Sequence, residues 1–116
     1  MSAKLRDKAL LLLREAEKDL DIGCYNKAVS AAYFSARMAT EIFLKSKVKH
    51  LPRRDDKLAN TLKSIGFTRL AEKLLILYEQ RKKADYGEEA MSKSESVNAL
   101  LHAKVILEGL TGKRLT

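Results

Sequence analysis

The sequence has little in it to break a helix: one proline and five glycines in 116 residues. No segment alternates apolar and polar residues with the two-residue period of a half-buried strand, so no sheet is expected. A single cysteine, Cys24, excludes an internal disulfide and points to a reducing compartment, so the chain is expected in the cytoplasm. The bland place for that cysteine is a partly buried position near a turn. Histidine occurs only at His50 and His102, and neither is spaced for a zinc-type ligand set, so no metal is expected. There is no Walker loop, GxGxxG, nucleophile elbow or paired-carboxylate motif, and no cofactor is expected either. No apolar run approaches the ~20 residues that cross a bilayer. The opening "MSAKLRDKALLLLREAEKDL" has acidic residues in its apolar stretch and no small-residue cleavage site, unlike a secretory signal.

What is abundant is charge of one sign. Lys and Arg total 23 against 15 Asp and Glu, a net charge of +8. Such an excess favours polyanions as partners, RNA above all, or an acidic protein. Hydrophobic residues at 46% and charged residues at 33% fit a soluble globular chain, read as one domain over residues 1–116.

Helical periodicity divides the chain into five segments. The first runs from Ala3 to Leu20, with Leu5, Ala9, Leu12, Ala16 and Leu20 on one stripe, and ends at Gly23. The second runs from Tyr25 to Val48. Its alanines 28, 31, 32, 36 and 39 let neighbouring helices approach, while Tyr33, Phe34, Ile42 and Phe43 fill volume. "KHLPRRDD" is the one clear loop, after which Asp55 or Asp56 is expected to cap a short third helix that stops at Gly66. A fourth spans Thr68 to Ala84. Ser92 and Glu95 form a capping box for the fifth, which continues to Gly109. The expected fold is all-α, an antiparallel up-and-down bundle of four long helices plus one short one.

Two apolar quartets, "LLLL" at 10–13 and "LLIL" at 74–77, exceed what such a core receives. Four consecutive helical side chains sweep roughly 300° of circumference, whereas a core-facing stripe is somewhat over ~100° wide. Part of the first and fourth helices is therefore expected to be covered by another molecule, a second copy in a homodimer or a heteromeric partner.

Basic residues concentrate twice, at Lys45, Lys47, Lys49, Arg53, Arg54 and Lys57, and again at Arg81, Lys82 and Lys83. Folded together they would make a surface for phosphates; folded apart they are solvated faces. Asp85, four residues after Arg81, is placed for an ion pair.

The segments "REAEKDLDIGCYNKAVSAAYFSARMATEIFLK" and "RKKADYG", with this helix order, resemble the HEPN superfamily over about residues 3–110. These are small all-α domains found beside minimal nucleotidyltransferases, and the short stand-alone group is the nearest likeness. The resemblance implies a dimer, a nucleotidyltransferase partner in a toxin–antitoxin-like module, and an RNA cleft. Active members are metal-independent endoribonucleases with an arginine, four to six variable residues and a histidine. Arg81 matches the arginine; Tyr86 stands at the histidine, Lys82 at a position often Asn, Asp or His, and Glu88 where some toxins carry a modified tyrosine. Cleavage by the RNA 2′-hydroxyl needs groups titrating near working pH. An ordinary tyrosine is only about one part in a thousand phenolate there. The resemblance with these departures implies a nucleotide- or RNA-binding surface, formed by Arg81, Lys82, Lys83, Asp85 and Tyr86 with Arg53 and Arg54. The alternative is a ribonuclease using Arg81 and Tyr86.

Overall fold

A computed structural model describes the backbone of residues 3–112 and the side chains of residues 6–112. It contains five helices and, among the described residues, no strand: α1 (Ala3–Asp21), α2 (Tyr25–Lys45), α3 (Asp55–Ser64), α4 (Thr68–Tyr86) and α5 (Lys93–Thr111). Four long helices and one short one form the expected all-α bundle. α2 and α5 pack on each other and each also packs on α1 and α4, whereas α1 and α4 do not meet. The short α3 lies mainly on α4.

Small residues set the spacing of the central seam. Ala9 and Ala16 of α1 and Ala28, Ala32, Ala36 and Ala39 of α2 are all buried. Their size lets the backbones approach closely enough for the Ser35 hydroxyl to donate to the Ala9 carbonyl at 2.6 Å. Larger side chains fill the centre: Leu44, Leu58, Leu62, Leu74, Leu77, Ile106 and Leu107 have no exposed surface. Truncating one of these to alanine costs about 2–5 kcal/mol, because the lost transfer energy is joined by an unfilled cavity. The buried Thr40 and Ser96 hydroxyls return to backbone carbonyls, so neither is left unsatisfied.

Most helix ends follow local chemistry. Gly23 adopts φ +82 at the turn between α1 and α2, in the left-handed region open to glycine. Ser92 and Glu95 form the expected capping box at α5. At α3 the expectation fails: Arg54 occupies the N-cap with no side-chain cap bond, and Asp55 and Asp56 fall in the first turn. Their carboxylates are drawn instead to Arg37 and Arg54. α2 ends at Lys45 rather than Val48, since the amides of Lys47 and Val48 both close on the Leu44 carbonyl in a turn. α4 and α5 each run two residues past the expected ends, to Tyr86 and Thr111.

The quartets split as circumference requires. Leu13, Leu74 and Leu77 are buried, Leu10, Leu12 and Leu75 half-buried, while Leu11 is 54% and Ile76 44% exposed. The buried line of α1 is Ala9, Leu13 and Ala16; Leu12 and Leu20 lie at its margin, and the side chain of Leu5 is outside the described residues.

Candidate functional site

α4 runs antiparallel to α2, as three pairs spaced along the seam record. The rings of Phe43 and Phe67 lie 5.1 Å apart, those of Tyr33 and Tyr78 lie 6.3 Å apart, and the Ser30 hydroxyl donates to Asp85. Residues 78, 81 and 85 share one face of a helix, as do 30, 33, 34 and 37. This register brings Arg81 and Asp85 over the Ser30–Arg37 face of α2.

Arg81 is framed by aromatic rings. Its guanidinium carbon lies 5.4 Å from the Phe34 centroid, 5.5 Å from Tyr33 and 5.6 Å from Tyr86. These are cation–π distances, and they hold the planar group on several sides. Its Nε is 2.9 Å from Asp85 Oδ2 but is aimed off that oxygen, giving an ion pair without a directed hydrogen bond. Nε is the only nitrogen of this guanidinium sealed from solvent without a hydrogen bond. Among the described residues no group accepts from its two terminal nitrogens, and the side chain as a whole is 24% exposed. Phe34, expected to fill volume inside, is 44% exposed and Tyr86 is 75% exposed, so both present ring surface beside the guanidinium.

A second arginine lies one tyrosine away. Arg37 donates from Nε to Glu41, from Nη1 to Asp55 and from Nη2 to the Arg53 carbonyl, each at 2.6 Å. Tyr33 gives its hydroxyl hydrogen to Asp55 while its ring faces Arg81. Burial, and then the Asp55 carboxylate, push the Tyr33 phenol up to about 12. Burial alone would ease the proton off Arg37, but its bonds to Asp55 and Tyr33 outweigh it and hold the cation firmly charged. Tyr33 thus faces Arg81 with its ring and the first residue of α3 with its hydroxyl.

The remaining expected site residues divide. Lys82 lies over the Tyr78 ring at 4.7 Å and pairs with Glu79 at 3.2 Å. Lys83 turns to α5, where it pairs with Glu95 at 2.6 Å; that contact, with the Ser92 amide, lowers the Glu95 carboxyl to about 2. Arg54 pairs with its neighbour Asp56 at 2.8 Å, and the exposed Arg53 has no carboxylate partner among the described residues. Arg81, Asp85 and Tyr86 thus come together, while Lys82 and Lys83 each pair with a glutamate away from them. Sequence reasoning missed Ser30, Phe34 and Arg37 as neighbours of the site. Their signal was the polar and aromatic stripe 30, 33, 34, 37, 41 on an otherwise alanine-rich helix.

Elsewhere, His102 is half-buried beside Lys73 at 3.5 Å; burial and then that cation lower its pKa. His50 is exposed and Cys24 partly buried. No group of three or more His, Cys, Asp or Glu residues could hold a metal among the described residues. No described helix is long and apolar enough to cross a membrane. A groove of about 390 Å³ between α1 and α2 is lined by Lys8, Leu12, Phe34, Arg37, Met38 and Glu41, so Phe34 belongs both to this groove and to the Arg81 frame. No protein-family model matches the chain, and no curated protein sequence matches it.

Proposed function

We propose that this chain is a HEPN-like helical domain that binds the phosphates of RNA or a nucleotide at Arg81. It works as a homodimer beside a minimal nucleotidyltransferase, in a toxin–antitoxin-like module. The observation that carries the binding reading is that Arg81 lies between three rings, two of them partly exposed, with no acceptor for its terminal nitrogens among the described residues. A fork of N–H groups suits a phosphate bidentately, and adjacent aromatic faces suit unpaired bases, each worth ~1–3 kcal/mol when stacked. Lys45, Lys49, Arg53 and Lys57 have no ion-pair partner among the described residues and add to the chain's positive charge. Support for a second copy comes from the α1–α2 groove, which shares Phe34 with the Arg81 frame, so that a copy seated there would set two such sites facing one cleft.

Titrating a twelve-nucleotide uridine oligoribonucleotide into isotopically labelled protein tests the site. Signals of Phe34, Arg81 and Tyr86 are expected to move together and to recover as salt rises. Shifts confined to other surfaces contradict the reading. Light scattering at micromolar concentration is expected to give twice the mass of the chain; a monomer removes the dimer cleft.

The ribonuclease reading draws on the accessible Tyr86 ring beside the Arg81 cation. It requires metal-free RNA cleavage in EDTA that Tyr86→Phe abolishes, and absence of cleavage leaves the binding reading alone.

A further inference from the structure

We infer that Asp85 is a built-in competitor for the anion at Arg81, setting how tightly, and with what salt dependence, the site takes phosphate. The inference rests on the reading of Arg81 as the phosphate-binding group. A carboxylate beside an arginine either aims it or neutralises it, and the geometry separates the two roles. The guanidinium is already held by the rings of Tyr33, Phe34 and Tyr86. Asp85 adds no directed bond to that frame, because Nε lies within 2.9 Å yet points off the oxygen. What it adds is a negative charge. That charge is kept in place by the Ser30 hydroxyl, which donates to the other carboxylate oxygen from the neighbouring helix. No second cation pairs with Asp85 among the described residues. The Arg81–Asp85 pair therefore has no net charge, and a phosphate on the terminal nitrogens meets an opposing carboxylate across the width of one guanidinium. A small anion gains little from such a pair, whereas a strand that also stacks bases on Phe34 and Tyr86 has other contacts to hold it.

Fluorescence anisotropy with a labelled twelve-nucleotide uridine oligoribonucleotide, across a salt series, tests this. Asp85→Asn keeps the shape and the Ser30 contact while removing the charge. Relieving one like-charge repulsion near the surface is expected to tighten binding about five- to tenfold at low salt. With Arg81 no longer compensated internally, the slope of log K against log salt should steepen by up to ~0.7, the contribution of one further neutralised phosphate on a single strand. A purely structural role for Asp85 would not steepen that slope. Ser30→Ala, which frees the carboxylate to swing into solvent, should give a smaller gain of about twofold by the same relief of repulsion. If Asp85→Asn binds equally or more weakly while Arg81→Ala loses binding, the competitor role is overturned and the site stands. If Arg81→Ala binds like the parent, the site itself is wrong, and the inference falls with it. Circular dichroism confirms each variant is folded; should Asp85→Asn unfold, Ser30→Ala decides, tighter binding supporting the inference and unchanged or weaker binding overturning it.

Discussion

Two arginines face the same tyrosine, and the protein treats them in opposite ways. Arg37 has all three nitrogens bonded, to Glu41, Asp55 and the Arg53 carbonyl, and its side chain is 17% exposed. Arg81 has one off-axis carboxylate, rings for walls and terminal nitrogens with no acceptor among the described residues. A saturated guanidinium is a structural clamp: it ties α2 to the start of α3 and fixes the loop between them. An arginine held by packing yet short of acceptors retains bonding capacity for another molecule. The two arginines differ in how far each charge is already satisfied within the chain. Lys82, Lys83 and Arg54 fall between the two, each with one partner within the chain and much of its side chain exposed.

The sharpest way to break the comparison is to remove each arginine and measure stability by urea denaturation. Arg37→Met strands Asp55, whose side chain is only 12% exposed, and also loosens Glu41, so a loss of about 2–3 kcal/mol is expected. Arg81→Met loses a partly exposed ion pair and ring contacts, and about 1 kcal/mol or less is expected. Equal losses would erase the distinction between clamp and site.

Alkaline titration probes the clamp next. The Tyr33 phenol is raised to about 12 in the folded chain, above the ~10 of an unfolded tyrosine. Its contribution is therefore complete below pH ~10 and lost as pH climbs through about 12, on the order of 2 kcal/mol in all. Tyr33→Phe should remove that pH-dependent part of the unfolding free energy. It should also cost about 1 kcal/mol at neutral pH through the lost bond to Asp55.

A smaller effect lies at the start of α5, where Lys83 is occupied. Ser92→Ala should cost about 1 kcal/mol by removing the cap. Glu95 is lowered to about 2, so its contribution is present above the usual carboxylate range and fades as pH falls toward about 2. Glu95→Gln should flatten the acid limb of the stability profile. It should also leave oligonucleotide binding unchanged or slightly tighter, since it frees Lys83.

Much of the fold was legible because few residues interrupt the helical period, and because Ser92 and Glu95 spell their capping box in sequence. The α3 cap was misread because Asp55 and Asp56 carry the chemistry of caps, yet the tertiary partner Arg37 and the neighbouring Arg54 claim their oxygens first. Of the site, Arg81, Asp85 and Tyr86 could be seen because they are close in sequence. Phe34 could not: its type says core, and only the antiparallel register of α2 on α4 shows that its ring is left at the surface under a guanidinium. Charge counting likewise weighed Lys82 and Lys83 with Arg81, since pairing with Glu79 and Glu95 is a property of the folded helices.

The most direct test of the account is the affinity of Arg81→Ala for a labelled uridine oligoribonucleotide, measured by anisotropy at low and moderate salt on protein verified as folded. Loss of a charge-assisted bidentate contact, about 1.5–3 kcal/mol, predicts weakening by tenfold or more and a shallower salt slope. Affinity and slope equal to those of the parent chain would contradict it.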